Sequence, residues 1–140
     1  MSSTKTISHQ IFVNLPVENL KRSVDFFTHL GFTFNPDFTD DKATCMIVSD
    51  HIYFMLLETD RFQFFTPKPV SNAKTETQAL YALSLPSKEA VNEMVQKAIE
   101  AGGSTYAEPQ DHGWMYGHSF EDLDGHQWEL GYMDLSKRNA

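Results

Sequence analysis

The chain has 140 residues, of which 41% are hydrophobic and 21% charged, a balance typical of one globular domain with its own core. Lysine and arginine total 11 against 19 aspartates and glutamates, so the net charge is −8. This acidic balance disfavours nucleic acids and anionic membranes as partners, because both require cationic clusters. We find no signal sequence and no membrane-spanning run, and therefore expect a cytoplasmic protein.

The first module, about residues 10–59, predicts a strand, a helix and three more strands. The first strand is expected at Ile11–Val17. A helix follows, with Asn19 as its N-cap and Gly31 at its end. The three later strands are expected at about 32–38, 43–49 and 52–57.

The second module, about residues 78–134, repeats this order. A strand at residues 80–86 precedes a helix that Ser87 caps and the Gly102-Gly103 pair ends. Later strands are expected at about 104–107, 115–120 and 126–132. Two βαβββ modules predict an α+β fold in a single domain spanning residues 1–140. We expect the modules to pair into a cupped, mixed β-sheet around a central cavity, where small molecules usually bind.

The connector between the modules, about residues 60–77, is rich in phenylalanine and proline. Its aromatic side chains are Phe62, Phe64 and Phe65. We expect these rings to pack against a sheet edge, although they could also cover the cavity mouth or form a dimer contact.

One carboxylate stands out near the end of the chain. Gly125 permits a tight turn, after which Trp128 and Leu130 share one face of an extended strand and Glu129 occupies the other. A carboxylate in such a hydrophobic strand needs a metal, a proton or a hydrogen-bond donor. Glu129 is therefore the candidate catalytic residue, as a general acid or base, or else it anchors a hydrogen-bond network.

Five other side chains are candidates for contact with a ligand. Asn14 and Ser84 are polar residues within apolar strands, where they need partners. Trp114, Tyr116 and His118 alternate, and would share one face of a strand that could either stack on a ligand or pack against helices.

Two further histidines stand beside turns. We expect His112 and His126 to face solvent rather than take part in chemistry.

Three segments together resemble the vicinal oxygen chelate superfamily, which includes glyoxalase I, bleomycin-resistance proteins and extradiol dioxygenases. They are Leu15–Phe27, Leu30–Phe32 and Asp122–Leu130, in this order and spacing. The resemblance implies paired βαβββ modules, an active cavity walled by the cupped sheets, and assembly as a homodimer. It does not select one activity, because members of the superfamily isomerise, cleave rings, transfer thiols or sequester drugs.

In the metal-dependent members of that superfamily, four strand positions supply the metal ligands. By this resemblance they fall at Phe12, Met55, Leu80 and Glu129. Only Glu129 is a ligand for the hard or borderline divalent ions concerned. We therefore expect no metal and no other cofactor.

Three functional hypotheses follow. The first is a protein that binds a small organic molecule in an aromatic cavity without a metal. The second is a lyase or isomerase acting on a small carbonyl or hydroxy compound through Glu129, so that the sequence leaves open whether the protein is an enzyme. The third is a metalloenzyme with an unusual set of ligands, such as Glu129 with His118 and His126. It is disfavoured because residues three apart on a strand point to opposite faces.

Overall fold

The computed structural model describes residues 5–138. Its strands in chain order are β1 (Ile11–Val17), β2 (Thr33–Asn35), β3 (Ala43–Ser49), β4 (Ile52–Glu58), β5 (Leu80–Ser84), β6 (Gln110–Asp111), β7 (Met115–Glu121) and β8 (Gln127–Met133). Its α-helices are α1 (Leu20–Leu30), α2 (Thr59–Gln63) and α3 (Lys88–Glu100). None of the helices in this part of the chain combines the length and apolar character needed to cross a membrane.

The strands form two four-stranded sheets with the same topology. The first sheet has the order β1-β4-β3-β2 and the second the order β5-β8-β7-β6. In each, the first and last strands of the module pair in parallel, and the other pairings are antiparallel. The predicted α+β class and the repeated βαβββ order are confirmed.

The chain divides into two compact units. One comprises the described residues up to Val24 together with Gly31–Val70, and the other comprises Asp25–Leu30 with the described residues from Ser71 onward. Helix α1 is thus shared between the units.

The core of the first unit includes one face of its sheet. Leu15 and Leu56 lie opposite each other on β1 and β4, and Phe54 pairs with Met46 of β3. All four side chains are buried. Because side chains of a strand alternate between faces, this row of large residues gives the sheet one continuous apolar surface.

The second unit has an aromatic core. The ring of Trp128 on β8 stacks on Phe120 of β7 at 5.9 Å and meets Phe27 of α1 edge-on at 5.5 Å. Helix α3 lies against β7 and β8 and buries Val91 and Val95. These contacts hold β7 and β8 in place. They thereby also determine the positions of the side chains on the opposite face of these two strands.

A buried carboxylate holds the turn between β7 and β8. Asp122 accepts hydrogen bonds from the backbone N–H groups of Asp124 and His126 and from the indole N–H of Trp128, each at 3.0 Å. Burial raises the pKa of the Asp122 carboxyl, against the lowering effect of its hydrogen bonds. The expectation that His126 faces solvent is wrong, because this turn buries it. His112 is exposed, as predicted.

Two other local expectations are also corrected. The predicted strand at 104–107 is reduced to a bridge between Ser104 and Glu121, and the strand forms later, at Gln110–Asp111. Phe64 and Phe65 do not pack on a sheet edge, since they are 84% and 74% exposed.

Candidate functional site

Glu129 lies near the middle of β8, and its side chain is half-buried. Trp128 and Leu130, which flank it, point to the opposite face and are buried in the core. Its direct neighbours across the sheet are Ala82 on β5 and Ser119 on β7. The side of the second sheet that we call the Glu129 face carries Ala82, Ser84, Gly117, Ser119, Glu129 and Gly131.

Tyr106 is the partner of Glu129, and sequence analysis missed it. Its hydroxyl group donates a hydrogen bond to Oε2 of Glu129. Burial and this hydrogen bond raise the pKa of the Tyr106 phenol, so that it is a neutral donor at physiological pH. Within residues 5–138, Glu129 accepts no other hydrogen bond, which leaves Oε1 able to accept one from a ligand.

Ser119 provides a second polar group beside this pair. Its side chain is only 3% exposed, and its hydroxyl makes no hydrogen bond of normal geometry with the described residues. The hydroxyl lies close to the Tyr106 phenol. It acts to lower the pKa of that phenol, but this effect is smaller than the rise caused by burial and by Glu129. A buried hydroxyl without a partner is costly, so this one is available to a group that enters the site.

The next row of the Glu129 face is almost without side chains. Gly131 pairs with Gly117 on one side and with Ser84 on the other. A Cβ atom at Gly131 would come no closer than 3.9 Å to a neighbouring atom, and one at Gly117 no closer than 3.5 Å. The two glycines therefore expose bare backbone beside Glu129, on which the flat side of a small molecule could lie.

The structure brings only one of the predicted ligand contacts onto this face. Ser84 shares the face with Glu129, whereas Tyr116 and His118 pair with Tyr132 and Leu130 and point to the other side of the sheet.

The three alternating residues have partners of their own. The Tyr116 hydroxyl donates to Asn92 of α3 at 2.6 Å. His118 Nε2 lies 3.2 Å from the carbonyl oxygen of Ala107. The Trp114 ring lies under the Arg138 guanidinium at 5.1 Å. Their role in binding a ligand stays a prediction.

Asn14 belongs to the first unit, on β1. Its side-chain amide donates to the carbonyl oxygen of Phe12 at 3.3 Å, and the residue is exposed. This local bond leaves the amide oxygen able to accept a hydrogen bond from a ligand, so that its role also stays a prediction.

The four positions that the resemblance assigned to metal ligands have equivalent places in the two sheets. Phe12 pairs with Tyr53, two residues before Met55, and Leu80 pairs with Gln127, two residues before Glu129. This shared register supports the assignment. The side chains themselves do not fit a hard divalent cation, because phenylalanine and leucine carry no donor atom and the methionine sulfur is a soft one.

The described residues also contain no group of three or more His, Cys, Asp and Glu side chains placed to hold a metal. In particular, His118 and Glu129 project from opposite faces of the sheet. They therefore do not converge as the third hypothesis requires.

Comparisons with known proteins place this geometry in a family. The chain matches the Glyoxalase/Bleomycin resistance protein/Dioxygenase superfamily over residues 8–130. A search among curated proteins found no match.

Solved structures share the fold over most of the chain. The hypothetical protein SA1046 from S. aureus is 27% identical, with a TM-score of 0.77, covering 91% of this chain and 95% of its own. A glyoxalase/bleomycin resistance protein/dioxygenase family enzyme from Burkholderia phytofirmans PsJN is 15% identical, with a TM-score of 0.72 and coverage of 87% and 96%. The fosfomycin resistance protein FosX from Listeria monocytogenes is 18% identical, with a TM-score of 0.67 and coverage of 95% and 99%. The resemblance in the sequence is thereby confirmed, and the chain belongs to the glyoxalase/bleomycin resistance/dioxygenase superfamily.

Proposed function

We propose that this protein binds a small organic molecule on the Glu129 face, and that it does so without a metal. The observation that carries the proposal is the hydrogen bond from Tyr106 to Glu129. In this arrangement a neutral phenol supplies the donor that a half-buried carboxylate requires. The carboxylate therefore does not depend on a metal for its stability.

The surroundings of Glu129 suit an organic ligand. Ser84 and Ser119 offer hydroxyl groups within the same two rows of the sheet, and Gly117 and Gly131 leave backbone open to contact. Ligand sites usually combine such apolar contact area with a few placed polar groups. Because Glu129 Oε1 can only accept, we expect the ligand to present an O–H or N–H group to it.

Substitution of Glu129 tests this proposal. A library of neutral, cationic and anionic organic compounds is screened by thermal shift, and the hits are titrated against Glu129→Gln. We expect hits to bind the variant at least about tenfold more weakly, since hydrogen bonds to charged groups contribute about 1.5–3 kcal/mol. The matched control is Glu108→Gln, which removes the same charge from an exposed residue two positions after Tyr106. Equal losses in both variants, or none in Glu129→Gln, would contradict the proposal.

Elemental analysis tests the metal-free part. Protein purified without chelators and without added metal should contain far less than one equivalent of zinc, nickel, manganese or iron. A near-stoichiometric metal content would mean that ligands other than Phe12, Met55 and Leu80 complete a site with Glu129.

A second candidate function is supported by the same hydrogen bond. Tyr106 fixes one carboxylate oxygen and leaves the other able to take a proton. Glu129 could remove a proton from a carbon next to a carbonyl group. Return of the proton at another position is the reaction of an isomerase, and loss of a leaving group from the neighbouring carbon is the reaction of a lyase. For this function we expect turnover to fall at least about a hundredfold in Glu129→Gln while the fold survives. An unchanged rate would exclude Glu129 from the chemistry.

A further inference from the structure

The loop that carries Tyr106 is held at few points. It spans residues 105–109, between the bridge of Ser104 with Glu121 and the start of β6 at Gln110. Every residue of this loop is exposed, and Tyr106 is 40% exposed although its hydroxyl reaches Glu129. Such a segment can open at small cost, because little apolar surface holds it down.

Three contacts tie the loop to the second sheet. They are the hydrogen bond of Tyr106 to Glu129, and the contacts of His118 Nε2 with the carbonyl oxygen of Ala107 at 3.2 Å and with the Thr105 hydroxyl at 3.4 Å. Thr105 contributes within the same cluster, since its hydroxyl donates to that carbonyl at 3.1 Å. The loop therefore depends on β7 and β8 for its position.

The Tyr106 phenol itself indicates which chemical group the site accepts. Its hydroxyl donates to Glu129 and lies beside the buried Ser119 hydroxyl, which makes no hydrogen bond with the residues that the structure describes. A hydroxyl group placed there can donate to the carboxylate and accept from the serine. An ammonium group can donate to both of these oxygens but cannot accept, so the O–H of Ser119 would still have no acceptor.

We propose that Tyr106 occupies the place of the ligand's hydroxyl group, and that the ligand is a neutral phenol or aryl alcohol that displaces Tyr106 from Glu129. Displacement of Tyr106 frees the carboxylate beside the Ser119 hydroxyl, and the aromatic ring of the ligand lies toward Gly117 and Gly131. This inference rests on the proposed function of the Glu129 face. It adds the chemical class of the ligand and a loop that must open before the ligand can bind.

Displacement makes the apparent affinity depend on the loop. The tethered phenol competes with the ligand at a high effective concentration, and the apparent Kd equals the intrinsic Kd divided by the fraction of molecules whose loop is open. Removing the internal competitor should therefore strengthen binding of a free phenol, which is the opposite of what loss of a ligand contact would do.

The first experiment is a calorimetric titration of wild-type protein and Tyr106→Ala with p-cresol, which has the structure of the tyrosine side chain. We expect p-cresol to bind Tyr106→Ala at least about tenfold more tightly than wild type, which corresponds to about 1.4 kcal/mol. Toluene, which lacks the hydroxyl, and benzylamine, which carries an ammonium group, should both bind this variant more weakly than p-cresol. The double variant Tyr106→Ala/Glu129→Met should lose the preference for p-cresol over toluene.

A second variant tests the same inference without a substitution of Tyr106. His118→Ala removes the contact with Ala107 and leaves Tyr106, Ser119 and Glu129 in place. It should favour the open loop, and so tighten p-cresol binding relative to wild type. Circular dichroism confirms that both variants are folded before they are titrated.

Several outcomes would overturn the inference. These are p-cresol binding Tyr106→Ala no more tightly than wild type, toluene binding as tightly as p-cresol, or benzylamine binding more tightly. If library ligands still depend on Glu129 in those cases, the proposed function stands and only the phenol class and the gate fail. If no compound depends on Glu129, both fail.

Discussion

The two sheets have the same strand order, and β1, β4 and β3 pair in the same register as β5, β8 and β7, but the equivalent faces carry different side chains. In the second sheet one row reads Ala82, Glu129, Ser119 and the next reads Ser84, Gly131, Gly117. The equivalent rows of the first sheet read Asn14, Met55, Cys45 and then Pro16, Leu57, Ala43. Leucine, cysteine and alanine thus stand where the second sheet has two glycines and a serine.

This difference separates packing from binding. Leu57, Cys45 and Ala43 are all buried, so that their positions in the first sheet contribute to the core. The same positions in the second sheet hold glycines, which weaken a strand, and a serine whose hydroxyl has no hydrogen bond within residues 5–138. Residues that lower stability are typical of a functional site, and the second sheet has such glycines and such a serine where the first sheet has packed side chains.

The largest expected effect is a loss of stability in the first sheet, whose side chains at these positions are buried. Leu57→Ala should lower the free energy of unfolding by about 3 kcal/mol, because the side chain is 3% exposed and its loss leaves a cavity. Gly131→Ala, at the equivalent position of the second sheet, should change stability by less than about 1 kcal/mol. Urea denaturation of both variants makes the comparison, and similar losses would show that the Gly131 row is packed like the Leu57 row.

The turns before the last strand of each sheet differ in the same way. Gly125 has a φ of 92°, and a Cβ there would lie 2.7 Å from backbone atoms of Ala73 and Lys74. The corresponding turn at Asp50 and His51 is exposed.

Gly125→Ala should therefore lower the free energy of unfolding by about 2 kcal/mol, through strain and a collision with backbone. Asp50→Ala is the matched control, and should cost less than about 0.5 kcal/mol as an exposed substitution. A harmless Gly125→Ala, measured by the same urea denaturation, would mean that the segment around Ala73 moves away easily.

Local sequence signals were sufficient for much of this fold. The caps at Asn19 and Ser87 accept hydrogen bonds from the third residue beyond each, as their residue types predict. Strand β3 was predicted with its observed bounds of Ala43–Ser49, because its apolar run lies between acidic turns. The repeat of βαβββ order then followed from the spacing of such elements.

The missing parts of the site depend on contacts between distant residues. Tyr106 and Glu129 are 23 positions apart, and the loop at 105–109 has no periodicity that could place its side chains. The burial of His126 was missed for a related reason. It follows from the carboxylate of Asp122, which folds the turn back on itself through hydrogen bonds that composition does not reveal.

A smaller effect, on the affinity for a ligand, tests whether the ligand lies on the exposed backbone at Gly131. Gly131→Ala adds one methyl group to the Glu129 face without meeting a neighbouring atom closer than 3.9 Å. We expect the Tm to stay within a few degrees of wild type, while the affinity for Glu129-dependent ligands falls about tenfold because the ring can no longer lie on the backbone. Ala82→Gly is the control on the same face, since it removes a methyl group instead. An unchanged affinity in Gly131→Ala, measured by calorimetry, would place the ligand elsewhere on this face.

The smallest expected effect concerns a carboxylate of the first sheet whose work is structural. Glu58 at the end of β4 accepts the backbone N–H of Leu20 at 2.9 Å, and thereby caps α1, and it pairs with Lys42 at 3.2 Å. The hydrogen bond from Leu20 and then the one from Lys42 lower the pKa of Glu58. A carboxyl group whose pKa is lowered by folding stabilises the protein above its unfolded pKa of about 4.3, and this contribution is lost as the pH falls through the lower, folded pKa.

Glu58→Gln should therefore lower the free energy of unfolding at pH 7 by about 0.5–1 kcal/mol, the usual contribution of a cap, and the difference from wild type should shrink in acid. Asp60→Asn removes a second partner of Lys42 at 3.3 Å without removing the bond to Leu20, and so separates capping from ion pairing. If the two variants lose equal stability, Glu58 acts through Lys42 alone. If Glu58→Gln is more costly and Glu129→Gln costs almost nothing, the first sheet uses its carboxylate to hold a helix, and the second keeps its carboxylate for a ligand.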